Sequence, residues 1–355
     1  MVYRYKYILM TYINLFYWLK RRIIKMYENN SQSLKMKYRQ LGKTGFLVSE
    51  IGFGAWGIGG VTPGPTSYGE TDDLTSLSAL ETAIDCGINF FDTSNIYGHG
   101  HSENLLGQAF AHKREQVIIA TKAGFIDFES QPDFTADAIK KSLEGSLSRL
   151  RTSYVDLLQL HNPSAQWLKD HPTTLKALST LMSEGKVKAI GISVKRPEDA
   201  FSLLDLFPFQ SIQANFNMMD IRVITSGLLK KISATGIGLI ARTPLAFGFL
   251  AKSMTGKEVF DAQDHRSRWS RTQIQTWANG ANDLLACCEE SQHVSPAQIA
   301  IRYCLSYQQV STTIPGMLTP EEVKLNSAAS FAGGLAPQEC ADIEAIHNGR
   351  SFIIE

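Results

Sequence analysis

Eight short apolar runs, separated by longer stretches of helical periodicity, constrain this chain more than anything else in it. The runs are Ile51–Trp56, Ile88–Thr93, Val117–Thr121, Val155–His161, Val187–Ser193, Ser211–Asn217, Gly238–Thr243 and Val310–Pro315. Helical patterns lie at Asp72–Cys86, Ser102–Ala111, Thr135–Leu150, Thr173–Ser183, Pro197–Leu206, Ile224–Ala234, Pro296–Leu305 and Pro320–Ala329. Several begin at Ser, Thr or Asp and stop at a glycine such as Gly87, Gly185 or Gly236, the asymmetry that helix ends favour. Strands alternating with helices in units of roughly 25 to 40 residues imply a parallel sheet. Eight uninterrupted units predict a single (β/α)8 TIM barrel rather than a doubly wound sheet. Ahead of it, Tyr38–Leu41 and Leu47–Glu50 flank a Gly42-Lys43-Thr44-Gly45 turn and read as a β-hairpin. Two pieces exceed the eightfold count: a loop and helix over Ala246–Ser291, and an extra C-terminal helix near Pro337–Ile346. Long additions after barrel strands usually serve the site.

Composition sets the class. At 44% hydrophobic and 19% charged residues, the 355-residue chain is ordinary globular protein, neither disordered nor built on disulfides. Its net charge of +1 hides an asymmetry, because residues 1–35 carry seven Lys/Arg and one acid. The remaining 28 basic and 33 acidic residues leave a body at −5, with no electrostatic footprint for nucleic acid. Cys86, Cys287, Cys288, Cys304 and Cys340 have no C-x-x-C spacing, so reduced thiols in a cytoplasmic protein are expected. Tyr7–Leu19 is apolar but too short to span a bilayer, and no small-residue cleavage site follows. Residues 1–35 are therefore expected to be an extension ahead of a barrel domain over 36–355, with an interfacial membrane anchor as the alternative.

Gly52-Phe53-Gly54-Ala55-Trp56-Gly57 matches the G-x-G-x-x-G string of a dinucleotide-binding turn. That string works only where a helix begins inside it. Here it runs on into Ile58-Gly59-Gly60-Val61-Thr62-Pro63-Gly64-Pro65, which cannot be helical, so a Rossmann reading is rejected.

The chemistry of a barrel sits where its strands end. There stand Asp92 and Tyr97 in Phe91-Asp92-Thr93-Ser94-Asn95-Ile96-Tyr97-Gly98, Lys122 in Thr121-Lys122, and His161 in Leu160-His161-Asn162-Pro163. Singly each has a bland explanation: a cap, a rim wedge, a solvated lysine, a core histidine. Jointly they make a proton donor. A phenol ordinarily titrates near pH 10, a neighbouring ammonium stabilises its phenolate, and a carboxylate keeps that ammonium charged. A histidine beside them can bond the same substrate oxygen. No nucleophile–base pair and no metal cage accompanies them; His99, His101 and His112 read as polar loop residues.

With these residues in place the chain resembles the aldo-keto reductase superfamily from Lys37 to about Gly349. The resemblance rests on Tyr38-Arg39-x-Leu41-Gly42-x-Thr44-Gly45, on Phe91-Asp92-Thr93-x-x-x-Tyr97-Gly98 followed by Ser102-Glu103-x-x-Leu106-Gly107, and on Thr121-Lys122. Asp156-Leu157-x-Gln159-x-His161, Gly185-Lys186-Val187-Lys188-x-Ile190-Gly191-x-Ser193 and Ile314-Pro315-Gly316 extend it. It implies an NAD(P)-dependent oxidoreductase that binds NADP(H) or NAD(H) without a Rossmann domain. Tyr97 would be the general acid, Asp92 and Lys122 would tune it, and His161 would orient the substrate carbonyl. A small-molecule aldehyde or ketone, or the matching alcohol, would be the partner. The alternative is a nicotinamide-nucleotide-binding regulatory or channel-associated subunit with little turnover.

The resemblance also implies cofactor positions. Ser193 and Gln213 would hold the carboxamide, with Val194 where the family usually has Asn. Arg242 stands where many members place an aromatic ring, and a planar guanidinium can stack there instead. Thr243, Pro244 and Leu245 would pass under the pyrophosphate, with Trp56 and Asp92 also at the cofactor. Gly316, Thr319, Glu322 and Asn326 would surround the adenosine. Members that prefer NADP place Arg or Lys where this chain has Leu318, Thr319 and Glu322, so that preference is not secured. Arg266, Arg268 and Arg271 could grip a phosphate from the long loop. Trp56, Tyr68, Phe125, Trp167 and Phe249 are candidates for an apolar wall.

Overall fold

A computed structural model describes residues 35–352 except 65, 253, 289–290 and 292–293. The expectations for residues 1–34 lie outside the described residues. The eight apolar runs form the parallel strands β3 (Phe53–Gly54), β4 (Phe90–Asp92), β5 (Ile118–Ala123), β6 (Val155–His161), β7 (Val187–Ser193), β8 (Ser211–Asn215), β9 (Gly238–Arg242) and β10 (Val310–Ile314). Neighbours in sequence are neighbours in the sheet. The two ends meet through parallel bridges Ile51↔Thr313 and Gly54↔Gly316, with Gly52 donating to the Thr313 carbonyl at 2.8 Å. This is a (β/α)8 barrel.

Period-two alternation then sorts the side chains. Phe90, Ala120, Leu157, Ala189 and Ile240 point inward and pack as one small cluster, while Phe91, Ile119, Leu158, Ile190 and Leu239 point outward beneath the helices. Two residues further along each strand the same inner face carries Asp92, Lys122, Gln159, Gly191 and Arg242, and β6 and β7 reach one step more, to His161 and Ser193. Thus the polar layer lies at the carboxyl ends of the strands and the apolar layer beneath it.

Strands β1 (Tyr38–Gln40) and β2 (Leu47–Ser49) form the expected antiparallel hairpin, whose Leu41 and Val48 join the inner cluster and plug the lower mouth. Arg39 anchors it, donating to Glu50 at 2.7 Å and to the carbonyls of Leu305, Tyr307 and Val310 at 2.8, 3.1 and 2.8 Å. Leu305 ends a helix, so the guanidinium satisfies a carbonyl that has no partner within the helix.

The helices are α1 (Asp73–Asp85), α2 (His101–Phe110), α3 (Ala136–Arg149), α4 (Ala165–Asp170), α5 (Pro172–Ser183), α6 (Asp199–Leu204), α7 (Arg222–Thr225), α8 (Leu228–Thr235), α9 (Arg271–Ala286), α10 (Pro296–Leu305), α11 (Pro320–Ala332) and α12 (Pro337–Ile346). Two differ from expectation. The pattern over Ile224–Ala234 breaks into α7 and α8 because Gly227 adopts φ 82°, outside the helical region. Helix α4 was not expected; Ser164 caps it by accepting from Trp167 N. None of the described helices is long and apolar enough to cross a membrane.

Candidate active site

Above the inner apolar layer lies a cleft of about 670 Å³ that reaches from the barrel mouth under the long loop after β9. At its floor Lys122 is fully buried. Its ammonium donates to Asp92 Oδ2 at 2.5 Å and to the Thr93 carbonyl at 2.9 Å. The other oxygen of Asp92 accepts from Gln159 at 3.0 Å and from Gln213 at 2.7 Å. A buried ion pair costs desolvation unless its remaining lone pairs are met, and these are. Burial alone would lower the Lys122 pKa, but Asp92 and Tyr97 outweigh it and the ammonium is held above its ordinary value.

Tyr97 follows strand β4 on a loop held by close backbone contact. Gly98 adopts φ 59°, and a Cβ there would stand 2.0 Å from the Gly59 carbonyl oxygen. From behind, Thr93 and Ser102 hydroxyls bond each other at 2.8 Å, and Ser102 donates to the Ala55 carbonyl. This places Lys122 Nζ 4.9 Å from the centre of the Tyr97 ring. His161 faces the same space, with Phe125 at its edge. Burial first, then the charges of Lys122, Arg242 and Lys195, hold its imidazole well below the ordinary pKa, so it is neutral. The cleft therefore presents a phenol and a neutral imidazole, backed by an ammonium that is paired to a carboxylate. That set can donate a proton to an oxygen and hydrogen-bond it.

Of the residues expected at a cofactor, Trp56, Asp92, Gln213, Arg242, Thr243, Pro244, Leu245, Gly316 and Glu322 line this cleft. Ser193 lies just behind it, its hydroxyl 3.3 Å from Asn162 Oδ1 and accepting from Arg242 at 3.2 Å. Thr319 and Asn326 are not among the lining residues: Thr319 caps α11 by accepting from Glu322 N, and Asn326 is buried in that helix. The Glu322 carboxylate accepts from Leu318 N at 2.7 Å. Arg266 reaches the cleft but is tied to Asp264 at 2.6 Å and to the Phe247 carbonyl, while Arg268 and Arg271 do not line it. Trp56 and Tyr68 form part of the wall; Phe249 is fully buried and Trp167 stacks on His171 instead. Sequence reading missed Asn162, Lys195, Asn215 and Phe247, all of which line the cleft. The signal for Asn215 was the inner-face period of β8; Asn162 carries another sign, a left-handed φ of 55° after a strand.

The profile of the aldo/keto reductase family matches residues 50–348. The chain belongs to the aldo/keto reductase family. This aldo-keto reductase is 30% identical over 323 residues to the L-galactose dehydrogenase of Arabidopsis thaliana, covering 88% of this chain and 94% of the relative. It is 29% identical to a probable voltage-gated potassium channel subunit beta of Oryza sativa, covering 88% and 96%. Among solved structures, the holo form of an aldo-keto reductase from Bacillus halodurans superposes with a TM-score of 0.73 at 26% identity, covering 89% and 98%. The chain is thus an NAD(P)H-dependent oxidoreductase of this family.

Proposed function

We propose that the protein reduces the carbonyl of a small aldehyde or ketone to an alcohol, with Tyr97 as the proton donor. The observation that carries this reading is the meeting of Tyr97 and neutral His161 in one cleft above the buried Lys122–Asp92 pair. The cleft suits a nicotinamide nucleotide: its volume is in the range of small-molecule sites, Gly54, Ala55, Gly57 and Gly316 keep one wall low, and Gln213 and Asn215 supply amide groups. When bound, a reduced nicotinamide supplies the hydride that the carbonyl carbon receives. His161 hydrogen-bonds the carbonyl oxygen and fixes its direction. As negative charge develops on that oxygen, the Tyr97 hydroxyl delivers its proton, and the Lys122 ammonium stabilises the phenolate left behind. Asp92 keeps Lys122 charged and fixed. Glu322 at the cleft wall disfavours an extra phosphate nearby, which supports use of NADH beside NADPH.

The test follows NADPH and NADH oxidation by the full-length chain with a reactive aromatic aldehyde, beside Tyr97→Phe. Loss of about 10²- to 10⁴-fold in kcat with cofactor binding retained is expected, and equal rates would remove Tyr97 as the acid. The rice relative motivates a second reading, a nicotinamide-sensing subunit; wild-type binding without turnover would favour it.

A further inference from the structure

Among the described residues, Arg242 is a cation of the inner cleft with no acid paired to it. Arg242 ends strand β9 on the inner face, half-buried, and lines the inner part of the cleft with Tyr97, His161 and Gln213. Its guanidinium is fixed by three neutral acceptors: Nε donates to Asn215 Oδ1 at 2.8 Å, Nη1 to Ser193 Oγ at 3.2 Å, and Nη2 to the Val194 carbonyl at 2.9 Å. Among the described residues no carboxylate forms an ion pair with it. Two carboxylates act on it from farther away, and both are engaged, Asp92 by Lys122 and Asp220 by Arg222 at 2.6 Å. Since Lys122 cancels Asp92, Arg242 leaves the inner cleft with a net positive charge, and exposed Lys195 at the rim adds to it. Burial first, and then the charges of Lys122, Arg242 and Lys195, disfavour protonation of His161 beside it.

A nicotinamide ring able to serve a carbonyl held by Tyr97 and His161 shares that inner space with the guanidinium. Its oxidised form is a pyridinium carrying one positive charge; its reduced form is a neutral dihydropyridine. We infer that Arg242 makes the cleft discriminate between the two redox forms of its cofactor, holding the reduced form more tightly than the oxidised one. The inference rests on the function proposed above. Adenosine, riboses and pyrophosphate are common to both forms, so the ratio of their affinities isolates the charge on the ring. Three hydrogen bonds prevent the guanidinium from swinging away.

The experiment is a set of fluorescence and calorimetric titrations of the full-length chain with NADPH, NADP⁺, NADH and NAD⁺, without substrate. For the better-bound pair, wild type is expected to hold the reduced form about tenfold or more tighter. In Arg242→Met that ratio falls by about tenfold, whereas Arg242→Lys keeps the charge, weakens both forms, and holds the ratio within about twofold of wild type. Arg242→Gln keeps part of the hydrogen bonding and takes the place of the Met variant if that one fails to fold. A wild-type ratio near one, an unchanged ratio in the neutral variants, or an equal fall in Arg242→Lys overturns the inference and leaves the proposed function standing. If wild type binds no nicotinamide nucleotide at all, the proposed function fails and the inference with it.

Discussion

At the scale of single residues, the site works by fixing which groups are charged. Lys122 is kept cationic by Asp92 in spite of complete burial, and His161 is kept neutral by burial and by three cations. The second fact links function to stability. Below pH 6.5 an unfolded histidine takes up a proton that folded His161 refuses, so the unfolded state gains protons and stability falls with pH. The contribution is present in full above the unfolded pKa and is lost as pH falls toward the folded one. His265, depressed to about 4 chiefly by burial, acts in the same direction. In His161→Gln the loss between pH 6.5 and 5 should be shallower by up to about 1.4 kcal/mol per pH unit. Urea midpoints across that range measure it, and parallel curves for wild type and variant would show that His161 does not titrate as described.

At the scale of elements, strands supply position and loops supply reach. Asp92, Lys122, His161 and Arg242 stand on strand ends, whereas Tyr97 stands on a loop whose path depends on Gly98 meeting Gly59. Gly98→Ala forces a Cβ toward the Gly59 carbonyl at a left-handed φ, so the loop must shift while the barrel beneath it stays intact. With Tyr97 as the proposed acid, an activity loss of about 10²-fold is expected, because small misplacements of a catalytic group cost that much. A melting temperature near wild type should accompany it; full activity in the variant would mean that the loop does not place the acid. The same contrast explains what could be read in advance. The strands and most helices follow from periodicity, since period and cap chemistry are local. The break at Gly227 and the short helix α4 were missed because one glycine and one serine decide them, below the length at which a period can be read.

At the scale of the whole molecule, the hairpin plugs one mouth of the barrel and leaves the other for chemistry, so ligand binding and folding are coupled. A ligand that binds the folded state alone adds about 2.7 kcal/mol at one hundred times its Kd. For a chain of this size that is an upward shift of a few degrees in Tm. The shift should be larger with the reduced than with the oxidised nicotinamide at equal concentration. Thermal melts read by tryptophan fluorescence, with and without each nucleotide, give the comparison; no shift with any of them would argue against the cleft as the cofactor site.

Alternation of short strands with helices, eight times over, determined the barrel, and the identities at and just after the strand ends marked Asp92, Tyr97, Lys122 and His161. Both are properties of local periodicity and of residue type, which a linear string carries. Tertiary structure decided which groups meet. That Asp92 would be held by Gln159 and Gln213 as well as Lys122, and that Arg242 would be clamped by Ser193, Val194 and Asn215, depends on strand register and the barrel's closure. It likewise removed Thr319 and Asn326 from the cleft wall, since helix capping and core packing claimed their side chains first. Contacts between residues far apart in sequence follow from the closed sheet, and no local pattern encodes them.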